Sequence, residues 1–264
     1  MRTSLSLSLI LLLGLPVALA QTPPAPAAPA AAGSAPTLSP GEILRPEFRI
    51  KGGKMLAGTA FALDVDGAVL AVTAFHLFGP VGGLEKPVSA ADLPSFVKSV
   101  TLRDAWTDAP VAEAGPPLAL PDAAVMGGPT ASLDLAAFPL LPPDPAAPPV
   151  EGAVPVHVVK LAVKLPKVGD PVWVAAPVVN AAADHPHLLA ARVVEVNNNW
   201  LFYSFADTGL DLTATSGAPV LDAAGDVVGM HLGGGKMDSE LVGSANPLPA
   251  HRDRLVKAMG KQAP

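Results

Sequence analysis

What constrains this chain most is the shortness of its apolar runs. Past the first forty or so residues these are Ala57–Leu63, Ala68–Thr73, Val97–Leu102, Leu133–Leu140, Val154–Lys160, Val172–Ala176, Ala190–Val196, Trp200–Phe205, Pro219–Leu221 and Val227–Leu232, with Gly, Pro, Asn and Asp between them. Runs of about four to eight residues fenced by turn formers are strands rather than helices. Asp64-Val65-Asp66-Gly67 and Asp222-Ala223-Ala224-Gly225 carry hairpin-turn chemistry between consecutive runs. Only a turn after His76 and a segment from about Pro249 to Met259 read as helical. Many short strands, with no repeat of fixed period, predict an all-β sandwich or barrel fold.

Proline decides where the chain divides. Leu141 to Pro149 holds five prolines (Pro142, Pro143, Pro145, Pro148 and Pro149) and cannot be a central strand. Residues 21 to about 41 are nearly all Pro, Ala, Gly, Ser and Thr, which reads as an extended linker. Ahead of it, Arg2, the apolar run Leu5–Leu15 and Ala18-Leu19-Ala20 before Gln21 have the order of a secretory signal. That run is about half the roughly 20 residues that span a bilayer, so no stable membrane anchor is expected. The expected organisation is a signal over 1–20, a linker over 21–46, a first half over 47–141, a connector over 142–150, and a second half with a terminal helix over 151–264. The product would be periplasmic or secreted.

Composition then removes several functions. Lys and Arg number 17 against 23 Asp and Glu, a net charge of -6, and no basic cluster offers a nucleic-acid site. Lys160, Lys164 and Lys167 are spaced among Leu and Val and read as a solvated edge. The absence of cysteine excludes disulfides, a thiol nucleophile and cysteine-bound zinc. Asp184-His185-Pro186-His187 is the one place to seek a metal, but a proline separates its histidines and it reads as a loop. No metal and no cofactor is expected.

Three patches carry chemistry. The first is Gly58-Thr59-Ala60-Phe61, a hairpin, then Ala71-Val72-Thr73-Ala74-Phe75-His76. The second is Ser132-Leu133-Asp134-Leu135-Ala136. The third runs from Thr215-Ser216-Gly217-Ala218-Pro219 through the Asp222–Gly225 hairpin to Gly229, with Gly243-Ser244-Ala245-Asn246-Pro247 further on. In this order and spacing they resemble the chymotrypsin- and trypsin-like serine proteases over roughly residues 47 to 260. The match is thin between about 80 and 130, which reads as a lengthened loop. The resemblance implies two antiparallel β-barrels with the active site between them and a C-terminal helix. It also implies a triad of His76, Asp134 and Ser216. A serine hydroxyl is a poor nucleophile until a base accepts its proton, histidine ordinarily titrates near neutral pH, and an aspartate fixes the imidazole tautomer. Asp122 and Asp144 are rivals to Asp134, but both sit beside proline in loops.

One departure bears on activity. The oxyanion-hole donors implied are the N–H groups of Ala214 and Ser216, and the family usually has Gly in place of Ala214. If the backbone there needs a conformation open only to Gly, Ala adds strain of order 1 kcal/mol or more. Losing such a donor costs about 10²–10³ in turnover. The chain therefore reads as a serine endopeptidase acting through an acyl-enzyme, with an inactive trypsin-fold binding module as the alternative. Thr215 stands where trypsin-type enzymes carry an Asp that captures a released amino terminus, so activation by that route is not expected.

Specificity is read from Gly229-Met230-His231-Leu232-Gly233-Gly234-Gly235. It resembles the segment of glutamyl endopeptidases and viral chymotrypsin-like proteases whose histidine contacts a Glu or Gln of the substrate. His231 would then select Glu or Gln, or else merely fill the barrel wall. Gly233 and Gly234 would leave a strand edge for an extended peptide or protein substrate to pair with. Asp211, five residues before Ser216, would favour Lys or Arg if it lay at the pocket base, unless Thr208 or Thr213 replaced it there.

Overall fold

The computed structural model describes residues 34–125, 133–143, 154–178 and 187–260. The signal segment, residues 21–33 of the linker, Ser132, most of the proline connector and Asp184-His185-Pro186 lie outside the described residues.

Strand β1 (Leu44–Ile50) turns Leu44, Pro46 and Phe48 inward and Arg45 and Arg49 outward, the period of a half-buried strand. It folds back as β2 (Gly53–Leu56). β3 (Phe61–Val65) and β4 (Ala68–Thr73) form the hairpin expected at Asp64–Gly67, where Asp66 (φ 56°) and Gly67 (φ 84°) are both left-handed, as a tight two-residue turn requires. A short helix α1 (Leu93–Phe96) leads into β5 (Val97–Asp104), which pairs with β1 and with β6 (Pro110–Ala114). β7 (Ala136–Pro139) pairs with β4, and β8 (Val158–Lys160) lies parallel to β3.

The resulting sheets, β2-β1-β5-β6 and β7-β4-β3-β8, are laced together on both sides by isolated bridges, Leu44 to Ala60 and Ala114 to Leu140. Their strands thus encircle a core in which the Phe48 ring lies 4.9 Å from that of Phe78 and 5.9 Å from that of Phe138.

In the second half β9 (Pro171–Ala175), β10 (Leu188–Val196), β11 (Leu201–Phe205), β12 (Pro219–Leu221), β13 (Val227–Met237) and β14 (Glu240–Asn246) close a barrel in the order β10-β11-β14-β13-β12-β9. Val172, Val174, Leu201, Tyr203 and Val220 fill it. The terminal helix α2 (Leu248–Gly260) buries Leu248, His251, Leu255 and Ala258, one stripe at helical spacing, against β13 and β3.

The chain is therefore all-β, with a barrel-type arrangement in each half and a C-terminal helix. Three details differ from the sequence reading. β1 begins at Leu44, within the stretch assigned to the linker, because Ile43 and Leu44 are fully buried. The stretch read as a lengthened loop contains α1 and β6. β13 runs on through its glycines to Met237, since pairing with β14 supplies the order that glycine does not favour by itself. Among the described residues no helix is long and apolar enough to cross a membrane.

Candidate active site

Thr73 ends β4, and the chain passes at once into a 3-10 turn, Phe75–Phe78. Phe75, Leu77 and Phe78 sink into the core of the first half, which fixes the root of His76 and leaves its residue surface only 8% exposed. Asp134 lies between the buried Leu133 and Leu135 and is itself buried. Its Oδ1 accepts the His76 backbone N–H at 2.8 Å, and its Oδ2 lies 2.9 Å from His76 Nδ1. An ionised carboxylate can only accept, so the Nδ1 proton points at Asp134 and the Nε2 lone pair is left to take another. From the second half, Asn246 Nδ2 donates to the Asp134 carbonyl at 2.6 Å.

Ser216 sits in a turn clamped from the first half. Thr59 N–H donates to the Ser216 carbonyl at 2.8 Å, Thr59 Oγ1 to that of Ala214 at 2.9 Å, and Thr73 Oγ1 to that of Thr59 at 2.7 Å. From the barrel, the His231 carbonyl accepts the Gly217 N–H at 2.7 Å. Gly217 has φ +93°, and a Cβ there would stand 2.0 Å from the Thr59 carbonyl oxygen, so only glycine fits. Leu77, the neighbour of His76, lines one cleft with Ala214 and Ser216, and so the two halves meet at these residues. The Ser216 hydroxyl donates to the Leu232 carbonyl at 3.0 Å. To engage His76 it must leave that acceptor by rotating about its side-chain bond.

Ala214 has φ +65°, in the left-handed region where an L-residue costs roughly 1–2 kcal/mol. Neither its N–H nor that of Ser216 has an acceptor among the described residues. A left-handed residue within a turn leaves N–H groups converging on an anion-sized space.

His231 is fully buried within the barrel. Its Nδ1 lies 2.5 Å from the Tyr203 hydroxyl, and Nε2 is buried with no partner among the described residues. Burial, and to a lesser degree the charge of His76, pushes its pKa down to about 3. Burial likewise raises that of Tyr203 well above its ordinary value. Asp211 is exposed, and the Thr213 side chain, followed by the Thr213 N–H that its carboxylate accepts at 2.9 Å, holds its pKa low. Thr213 is also exposed and lines the cleft beside Ala214. Gly233 and Gly234 lie on β13 opposite Ser244 and Gly243 of β14. On its other edge β13 is still bonded at His231, to Gly217 and Ala218, and at the Leu232 carbonyl, to the Ser216 hydroxyl, and only from Gly233 onward is that edge without a partner among the described residues.

Sequence reasoning passed over Thr59, Thr73 and Asn246 as site residues. All three lay inside the motifs it used, and their polarity at otherwise apolar or tightly turned positions was the available signal.

The family model for trypsin-like peptidase domains matches residues 58–230. No curated protein matches the chain. Among solved structures, a thermostable serine protease from an extremophilic microorganism is similar at 12% identity and a TM-score of 0.53, over 83% of this chain and 97% of that one. Kallikrein-related peptidase 10 is similar at 15% identity and a TM-score of 0.53, over 88% and 98%. A protease of M. tuberculosis in its active form gives 17% identity and a TM-score of 0.48, over 83% and 81%.

Proposed function

The chain belongs to the family of trypsin-like peptidase domains, and from that membership we propose that it is an exported serine endopeptidase with His76, Asp134 and Ser216 as its triad. The carrying observation is the two-point hold of Asp134 on His76, through both Nδ1 and the backbone N–H; Ser216, pinned by the other half, makes no hydrogen bond to His76 among the described residues and is assigned as nucleophile from its motif. In the proposed cycle Ser216 Oγ attacks the scissile carbonyl while His76 Nε2 takes its proton. The oxyanion is received by the unengaged N–H groups of Ala214 and Ser216. His76 then returns the proton to the leaving amine, and water, activated by the same base, hydrolyses the acyl-enzyme.

Substrate in this reading extends along the open edge of β13 at Gly233 and Gly234, with His231 selecting Gln or Glu. The orphaned Nε2 is the feature that favours that assignment, since a substrate side chain would satisfy it, whereas the complete burial of the ring favours the alternative, a histidine that fills the barrel wall. Export rests on the Arg2, Leu5–Leu15 and Ala18-Leu19-Ala20 pattern. N-terminal sequencing of the mature protein should begin at Gln21.

A fluorophosphonate probe tests the chemistry. Labelling of the wild type that vanishes in Ser216→Ala supports the peptidase. Two observations favour the second reading, an inactive binding module: the Ser216 hydroxyl is held by Leu232, and Ala214 is strained. A folded protein that resists the probe would establish that reading instead.

A further inference from the structure

A cleft of about 430 Å³, with no β13 residue in its lining, opens beside Ser216 and Ala214. Leu56, Leu77, Val81 and Leu212 give it an apolar floor, and Leu56 and Val81 are 49% and 72% exposed. At its rim is Arg45, on the outward face of β1. Arg45 has no hydrogen-bond or ion-pair partner among the described residues. The carboxylate two residues along the same face, Glu47, is taken by Lys54 at 2.5 Å and by Arg103 at 3.3 Å. Directly across the ladder from Arg45 stands Arg103, a like charge. The rim therefore carries an uncompensated positive charge in a protein of net charge -6.

The acyl half of a substrate would lie along the β13 edge, and no β13 residue lines this cleft. The cleft does contain the neighbour of the histidine that must hand a proton to the departing amine. We propose that this cleft receives the leaving-group side of the substrate, with an aliphatic residue on its floor and a carboxylate on Arg45. The carboxylate can be an Asp or Glu side chain, or the terminal carboxylate of a short leaving segment. This rests on the peptidase reading and adds a specificity residue to it.

The test uses internally quenched peptides identical up to the scissile bond and varied over the positions beyond it. With Leu next to the bond, Asp or Glu at the following positions should raise kcat/KM about fivefold over Lys, an advantage that shrinks at high salt. Arg45→Glu should invert the order and Arg45→Gln should flatten it. Because each variant is judged by a ratio between peptides, loss of overall activity does not enter. Peptides ending at these positions as free acids or as amides separate the two sources of carboxylate. A preference for acidic side chains in the amides assigns the side chain, and one confined to free acids assigns the terminus. Binding of the same leaving segments to Ser216→Ala, followed by fluorescence anisotropy, applies the test without turnover. Failure of the peptidase reading would show as absent probe labelling with this binding preference intact. Equal affinity for acidic and basic segments, or an order unmoved by Arg45→Glu, would overturn the inference.

Discussion

Thr59 Oγ1 donates to the carbonyl of Ala214 across the junction of the two halves, at 2.9 Å, and Ala214 is one of four non-glycine residues held at positive φ among the described residues. A strained conformation persists only where surroundings over-determine it. Here the holding contact comes from the same threonine whose N–H pins Ser216. Thr59→Val should let Ala214 relax and swing its N–H away, lowering kcat by about tenfold with little change in KM, as losing part of an oxyanion donor does. Thr59→Ser should restore it. Ala214→Gly should leave stability within about 0.5 kcal/mol of wild type, since relief of strain offsets the added freedom of the unfolded chain. It should also blunt the effect of Thr59→Val in the double variant. Equal kcat losses from Thr59→Val with and without Ala214→Gly would show the two residues to be uncoupled.

Gly217 offers a harsher test of the same junction. A Cβ there would meet the Thr59 carbonyl at 2.0 Å and Thr73 Oγ1 at 2.5 Å. Gly217→Ala should cost more than about 3 kcal/mol, from overpacking and a left-handed backbone together. Urea midpoints measure it, and a loss under about 1 kcal/mol would mean that the clamp is soft.

Much of this was legible in the sequence, and the reasons are local. His76 follows a strand and enters a turn because Phe75, Leu77 and Phe78 must all bury, and that pattern shows in the one-dimensional string. The Asp222–Gly225 hairpin and the α2 stripe are local in the same sense. What escaped was set by partners distant in sequence. β6 exists because β5 offers an edge, β13 continues because β14 accompanies it, and Thr59 matters because Ala214, 155 residues away, accepts its hydroxyl. Asp211 illustrates a different limit, since its distance from Ser216 in the chain could not tell that Thr213 would bind its carboxylate.

Acid should loosen the fold before most carboxylates titrate. His231 and His251 are buried, and burial lowers their pKa values to about 3 and about 4. The unfolded chain, with histidines near 6.5, then binds more protons than the native state below that pH. Stability is therefore full above about pH 6.5 and falls as pH drops, by up to about 1.4 kcal/mol per unit for each histidine. Glu42, whose carboxyl burial holds above its ordinary range, opposes this at the acid end by taking its proton earlier in the folded state. Urea midpoints from pH 7.5 to 4.5 should show the decline, and His251→Leu should make it shallower by about one proton. A flat profile over that range would mean that these histidines are not desolvated as their burial implies.

The state of His231 leads to the sharpest expectation about specificity. Tyr203 keeps its proton, and its hydroxyl has no other partner among the described residues, so it donates to His231 Nδ1. A neutral imidazole accepting at Nδ1 carries its own hydrogen on Nε2, the buried atom that lacks a partner. In the proposed specificity role the ring would offer substrate one neutral N–H donor. The amide oxygen of Gln accepts that bond without bringing a charge into the interior, whereas a Glu carboxylate arrives charged and finds no cation. Gln should therefore be preferred to Glu at neutral pH. The gap should narrow as pH falls toward about 4.3, where Glu protonates, while cleavage after Gln should follow only the pH dependence of the catalytic groups. Paired peptides differing only at that position, profiled from pH 5 to 8 with wild type, His231→Ala and Tyr203→Phe, measure this directly. His231→Ala should erase the discrimination, and Tyr203→Phe should weaken it by freeing the imidazole to change tautomer. A Glu-to-Gln ratio independent of pH, or a profile dominated by Lys or Arg and unmoved by either variant, would remove His231 from the specificity site.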